Sequence, residues 1–141
     1  MTTRRSLLAL ALLPAGAAAA DDTALQRAIR DAVGDAPITD GGIALRVPAT
    51  AENGGQVPIA ILADSPMTAA DHITGIHVFA TANPAPGVAS FSLTPLLARA
   101  EVHTRIRLAE AQRIIVLAQS NDGRVRRATA EIRVTTGGCL T

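Results

Sequence analysis

The fold of this chain is constrained most by a series of short apolar runs between Ile43 and Thr135. The runs are rich in β-branched residues, and Gly, Pro, Asn and Asp separate them, which is the pattern of strands joined by turns. About seven runs are present, over residues 43–47, 57–63, 73–81, 88–93, 98–108, 112–119 and 124–135. Because no helical pattern interrupts them, the runs predict an all-β fold, an antiparallel β-sandwich.

One helix is predicted ahead of the strands. Asp22-Thr23 supplies a cap, and apolar residues from Leu25 to Val33 fall on one face, with Gly34 ending the helix. A chain of 141 residues fits one domain. We assign residues 21–135 to the sandwich with its helix, and residues 136–141 to a flexible C-terminal arm.

Residues 1–20 have the pattern of an export signal. Arg4-Arg5 precedes the apolar run Leu7–Leu13, and Ala18–Ala20 forms a small-residue cleavage site. The apolar run is shorter than the about 20 residues needed to span a bilayer, so no membrane anchor is predicted. The arginine pair is similar to a twin-arginine signal, although Sec signals also begin with arginines. We expect cleavage after Ala20 and a periplasmic location.

The run Arg113–Leu117 has apolar residues on both faces of the predicted strand. A strand with one face in water should alternate between apolar and polar residues. Both faces are therefore predicted to be buried. The second face is covered either by another subunit or by the N-terminal helix or a loop.

Charged residues alternate along the fifth run and share an outward face. They are Arg99, Glu101, His103, Arg105 and Arg107, with Arg127 and Arg133 adding charge on the last run. This face attracts anionic substrates or an acidic partner, or it is a solvated surface, with Glu101 and Glu131 reducing its charge.

Several functions are disfavoured by the sequence. With no Trp or Tyr and a net charge of +1, the chain lacks a platform for nucleic acid. His72, His77 and His103 do not have the spacing of a compact metal site, so no metal or other cofactor is predicted. We also find no catalytic constellation, and we expect no enzyme activity.

The chain has one cysteine, Cys139, which follows Gly137-Gly138 and precedes Leu140-Thr141. A single cysteine cannot form a disulfide within its own chain. Glycine populates both halves of φ space, so Gly137-Gly138 is predicted to act as a slim swivel. A thiol on such an arm suits a covalent carrier, an interchain disulfide or a metal carrier, or it has no function at all.

Four stretches together resemble the SoxY family of thiosulfate-oxidation carrier proteins. They are Ala51-Glu52-Asn53-Gly54 with Val57-Pro58, Ala82-Asn83-Pro84-Ala85-Pro86-Gly87-Val88-Ala89, Thr104-Arg105-Ile106-Arg107-Leu108-Ala109, and the terminal Gly137-Gly138-Cys139. The resemblance covers nearly all of the chain after the export signal. Family members typically end in Gly-Gly-Cys-Gly-Gly, and here Leu140-Thr141 replaces the last two glycines.

The resemblance implies an immunoglobulin-like sandwich that pairs with a second small subunit, SoxZ, as a heterodimer. It also implies that Cys139 carries sulfur covalently, after a c-type haem enzyme joins thiosulfate to it and other periplasmic enzymes process the cargo. In that interpretation the chain is a carrier subunit without its own active site. The alternative is a structural β-sandwich that uses Cys139 for an interchain disulfide.

Overall fold

The computed structural model describes residues 18–137, with side chains from Thr23 onward. Over this range the chain forms one helix and nine strands. The helix is α1 (Ala18–Val33). The strands are β1 (Ile38–Asp40), β2 (Ile43–Arg46), β3 (Thr50–Ala51), β4 (Val57–Ala63), β5 (Ile73–Ala80), β6 (Gly87–Ser92), β7 (Ala100–Ile106), β8 (Gln112–Ser120) and β9 (Val125–Val134).

The strands form two sheets that pack face to face. The larger sheet has the order β1-β9-β8-β5-β6, with β3 also pairing with β9, and the smaller has the order β2-β4-β7. The predicted all-β sandwich with a short N-terminal helix is confirmed, and it is consistent with an immunoglobulin-like fold. Two short strands, β1 and β3, were not predicted, and both run parallel to β9. They are too short to show a period of two in the sequence.

The main core lies between the two sheets. Alternate residues of β4, Val57, Ile59 and Ile61, are almost fully buried there. They share one cluster with Ile114 and Val116 of β8. The period of two in these strands thus places their β-branched residues in the core.

A second apolar cluster covers the opposite face of the larger sheet. Phe79, Leu117 and Val125 are buried there, against Leu25 and Ile29 of α1. The structure therefore resolves the question of β8, because the N-terminal helix covers its second face and no second subunit is needed for that burial.

The helix ends where the sequence predicted but begins earlier. Gly34 adopts a φ of 69°, and its N–H bonds the carbonyl of Arg30 at 2.8 Å, which is a common way for glycine to end a helix. The predicted start at Asp22-Thr23 is wrong, because α1 already begins at Ala18. Alanine is the best helix former, so Ala18–Ala20 extends the helix. Among residues 18–137, no helix is both long enough and apolar enough to cross a membrane.

Truncating Leu117 should expose the dependence of the fold on this second cluster. We expect Leu117→Ala to lower the free energy of unfolding by about 2–5 kcal/mol, because a fully buried leucine leaves a cavity. Leu62→Ala is the control, since Leu62 is only half-buried on the outer face of β4, and it should cost less. Urea unfolding measures both. Equal costs for the two variants would contradict the packing described.

Candidate functional site

The segment that follows β9 is tied to a neighbouring turn. We call this segment, Thr135–Gly137, the arm base. The N–H of Thr135 donates to the carbonyl of Ala51 at 3.0 Å, and the N–H of Gly54 donates to the carbonyl of Thr136 at 2.8 Å. These bonds continue the parallel pairing of β3 with β9. The chain therefore remains fixed by backbone bonds for two residues beyond the last strand.

The loop after β7 supports the arm base from another side. The N–H of Leu108 donates to the carbonyl of Gly54 at 2.7 Å, which joins this loop to the same turn. Gly137 lies so close that an added Cβ would stand 2.5 Å from the carbonyl oxygen of Ala109. No real Cβ tolerates that distance to a backbone oxygen, so glycine at position 137 permits a close approach of two backbone segments.

Two buried polar side chains hold the loop after β7. Asn83 donates from Nδ2 to the carbonyl of Arg107 at 2.8 Å and accepts the N–H of Ala109 at Oδ1, at 3.0 Å. Gln112 donates from Nε2 to Asn83 Oδ1 at 2.9 Å and to the carbonyl of Glu110 at 3.0 Å. Only 8% of Asn83 and 6% of Gln112 are exposed. Because buried polar groups are costly when unpaired, this network fixes residues 107–110 strongly.

The residues of the resemblance meet at this end of the sandwich. The turn Ala51–Gly54, the side chain of Asn83, the loop Arg107–Ala109 and Gly137 are far apart in the chain but in contact through the bonds just described. Gly138 and Cys139 lie outside the described residues, so the assignments of Gly137-Gly138 as swivel and of Cys139 as sulfur attachment site stay predictions. The roles of Asn83 and Gln112 were missed from the sequence, where Asn83 was named only within a stretch that resembles the family.

The three histidines lie on separate elements. His72 Nδ1 lies 2.9 Å from the carbonyl of Thr68, and His77 Nδ1 lies 2.9 Å from Ser90 Oγ. Burial lowers the pKa of His77 below its ordinary value. His103 bonds Glu101 at 2.8 Å. In the part of the chain that the structure describes, no group of three or more potential ligands could hold a metal ion.

The predicted charged face of β7 does point outward. Its charges are partly paired, because Arg99 and His103 both contact Glu101, at 3.7 and 2.8 Å. The hydrogen bond from His103 is the main reason that the pKa of Glu101 lies below its usual value.

The arginines of this region divide into paired and unpaired groups. Arg127 forms a two-bond ion pair with Asp40, at 2.7 and 3.0 Å. Arg105, Arg107 and Arg133 are exposed and make no ion pair with any residue between 18 and 137. The three unpaired arginines lie near the ends of β7 and β9, on the side of the arm base, where the exposed Glu52 and Glu110 offset part of their positive charge.

Comparisons by sequence and by structure point to the same family. The family described as "Sulfur oxidation protein SoxY" matches residues 29–139. The structure is similar to that of the sulfur carrier protein SoxY from Chlorobium limicola f thiosulfatophilum. The two sequences are 34% identical, and the match covers 81% of this chain and 98% of that chain with a TM-score of 0.68. A search of curated proteins finds no significant match.

More distant structures share the fold alone. Superoxide reductase (neelaredoxin) from Ignicoccus hospitalis is 16% identical, with a TM-score of 0.59 over 67% of this chain and 80% of its own. Superoxide reductase from Nanoarchaeum equitans is 10% identical, with a TM-score of 0.57 over 67% of this chain and 99% of its own. At such identities, a shared sandwich says nothing about chemistry.

Substituting Gly137 should test the close approach at the arm base. In Gly137→Ala the new Cβ would overlap the carbonyl of Ala109, so we expect the arm base to shift and the bond from Gly54 N–H to Thr136 to weaken. Hydrogen exchange at the Gly54 amide should then quicken by about tenfold. Gly87→Ala is the control, because nothing lies within 4 Å of an added Cβ there. Unchanged exchange at Gly54 in Gly137→Ala would show that the arm base does not depend on this contact.

Proposed function

The chain belongs to the SoxY family of sulfur oxidation proteins, and from that membership we propose that it carries sulfur intermediates covalently on Cys139. The observation that carries the proposal is the anchored arm base, which ends two positions before the only cysteine of the chain. A thiol placed just beyond a fixed backbone segment can be presented to other proteins. The chain itself supplies no catalytic group, and enzymes that act on the bound sulfur supply the chemistry.

The proposed loading step forms one sulfur–sulfur bond. The thiol of Cys139 loses its proton to solvent, and the thiolate joins the outer sulfur of thiosulfate to give a cysteine S-thiosulfonate. The two electrons released pass to a c-type haem enzyme, which is the oxidant that the family resemblance implies. Thiolates are the reactive form of cysteine and form reversible sulfur–sulfur bonds, so later enzymes can release the cargo.

The geometry favours a tethered intermediate over a free one. A cargo bound to Cys139 stays within reach of the arm, so its concentration at a docked enzyme is set by the length of the tether. The fixed arm base keeps that tether short. The unpaired arginines Arg105, Arg107 and Arg133 lie on strands and a loop that end at the same side, and they favour anionic cargo by long-range attraction.

The proposed place of this function is the periplasm. The export pattern in residues 1–20 supports it, with Arg4-Arg5 and the small residues Ala18–Ala20 as its main features. That compartment is oxidising, which suits a thiol that works by making and breaking sulfur–sulfur bonds. A twin-arginine route would export the sandwich already folded.

Cargo should be found on Cys139 alone. After incubation with thiosulfate and an extract of a thiosulfate-oxidising periplasm, we expect a mass increase on the C-terminal peptide that dithiothreitol removes. Cys139→Ser should abolish the adduct, because serine cannot form a sulfur–sulfur bond. Peptide mass spectrometry measures both proteins. An adduct of equal yield on Cys139→Ser would sink the proposal.

We also propose that a SoxZ-like subunit binds the outward face of the smaller sheet. On the outer face of the larger sheet, α1 covers the apolar residues Phe79, Leu117 and Val125, whereas the smaller sheet exposes an apolar column of Pro58, Ala60 and Leu62. Cross-strand pairing places Arg46 and His103 beside Ala60, and Arg105 beside Pro58. An apolar centre with a basic rim fits a partner that has an acidic rim.

An acidic residue in the apolar column of this face should weaken the binding of a SoxZ-like subunit. Leu62 lies opposite Glu101, so Leu62→Asp adds a second acid that would repel an acidic partner. We expect the dissociation constant for a SoxZ-like subunit to rise by about tenfold or more, as titration calorimetry would measure. Thr129→Asp, at an exposed position of β9 in the other sheet, is the control and should bind as the unaltered chain does. Tight binding by Leu62→Asp would place the interface elsewhere.

A further inference from the structure

The contacts around the arm base single out one side chain, Asn83, whose hydrogen bonds go to the loop after β7 and to Gln112. Asn83 bonds the backbone on both sides of Leu108, through the carbonyl of Arg107 and the N–H of Ala109. It therefore fixes the peptide on each side of that residue. The carbonyl of Ala109, at the end of this bracket, is the group that Gly137 packs against.

We propose that Asn83 is a positioning residue for the carrier arm. By holding Ala109 in place, it presents a rigid carbonyl to Gly137 and so limits the directions in which the chain can leave the sandwich. The inference rests on the proposed function, because only a carrier depends on how its thiol is presented. It makes Asn83 a determinant of delivery that lies outside the arm itself.

The surroundings of Asn83 fit this role. Gln112 donates from Nε2 to Oδ1 of Asn83 and accepts the N–H of Ala82 at Oε1. The orientation of the Gln112 amide is therefore fixed at both its nitrogen and its oxygen. Among the described residues, no buried side-chain nitrogen or oxygen lacks a hydrogen-bond partner. Loss of the donor at Asn83 would leave the carbonyl of Arg107 without this bond in a part-buried site, where an unpaired polar group is costly.

The substitution Asn83→Asp separates the donor of this side chain from its acceptor. An ionised carboxylate still accepts from Ala109 and Gln112 but cannot donate to Arg107. At alkaline pH, where an aspartate is ionised, this variant therefore removes the donor and keeps the acceptor.

A matched control exists at the other end of β8. Asn121 also brackets a loop with its amide, accepting the N–H of His72 at 3.1 Å and donating to the carbonyl of Ala70 at 3.0 Å. It follows Ser120, so the length of a nine-residue strand, roughly 30 Å, separates it from Gln112. Asn121→Asp disturbs the same chemistry far from the arm.

A nitroxide label on Cys139 tests the proposal in the full chain, because the chain has no other cysteine. At pH 8 we expect the ratio of mobile to immobilised label in Asn83→Asp to rise about fivefold, the factor for one lost hydrogen bond. Asn121→Asp should match the unaltered protein. Circular dichroism confirms that each variant is folded.

Two results would overturn the proposal: a label ratio in folded Asn83→Asp equal to that of the unaltered protein, or an equal rise in Asn121→Asp. Should Asn83→Asp fail to fold, Ala109→Pro removes the N–H that donates to Asn83 and must raise the ratio. The nitroxide label reports the motion of the arm, and the measurement needs no bound sulfur cargo. Failure of sulfur loading on the unaltered chain would therefore count against the proposed function, and the label result would still stand.

Discussion

Burial of β8 on both of its faces is the constraint on which the rest of the fold depends. Ile114 and Val116 face the core between the sheets, and Leu117 faces the helix. The strand lies in the middle of the larger sheet, so its backbone groups bond β5 on one side and β9 on the other. Once β8 is placed, its partner β9 is fixed in register, and the register of β9 decides where the arm leaves the sandwich.

The polar network at the start of β8 turns this placement into control of the arm. Gln112 is the first residue of β8, and its amide supports Asn83, which in turn supports the loop after β7. The same loop is bonded to the turn that holds Thr136. Chain segments that are distant in sequence thus converge at one end, and each is fixed by groups that would be costly to leave unpaired.

The contrast between an apolar sandwich and a hydrogen-bonded arm base suits a carrier. The sandwich is held by two apolar clusters, and the arm base is held mainly by backbone bonds and one close contact. In the proposed function, a thiol on such a support would be offered to successive enzymes while the sandwich remains unchanged. The arm base is tied to β3 and β9 of the larger sheet, so it does not lie over the outward face of the smaller sheet. That face is free for the proposed partner subunit.

The sequence alone determined the elements and their chemistry. Alternating β-branched runs predicted the main strands, and the apolar spacing from Leu25 to Val33 predicted the helix face. The single thiol after glycines left a covalent carrier, an interchain disulfide, a metal carrier or no function open, and the family resemblance favoured the carrier. These features are local, so a period or a composition reveals them. Only the tertiary structure decided what covers β8, because a pattern shows that a face is buried but not by which element. It also decided that Gly137 is close-packed and that Asn83 is a bracket, since both depend on backbone groups that meet only after the sheets have paired.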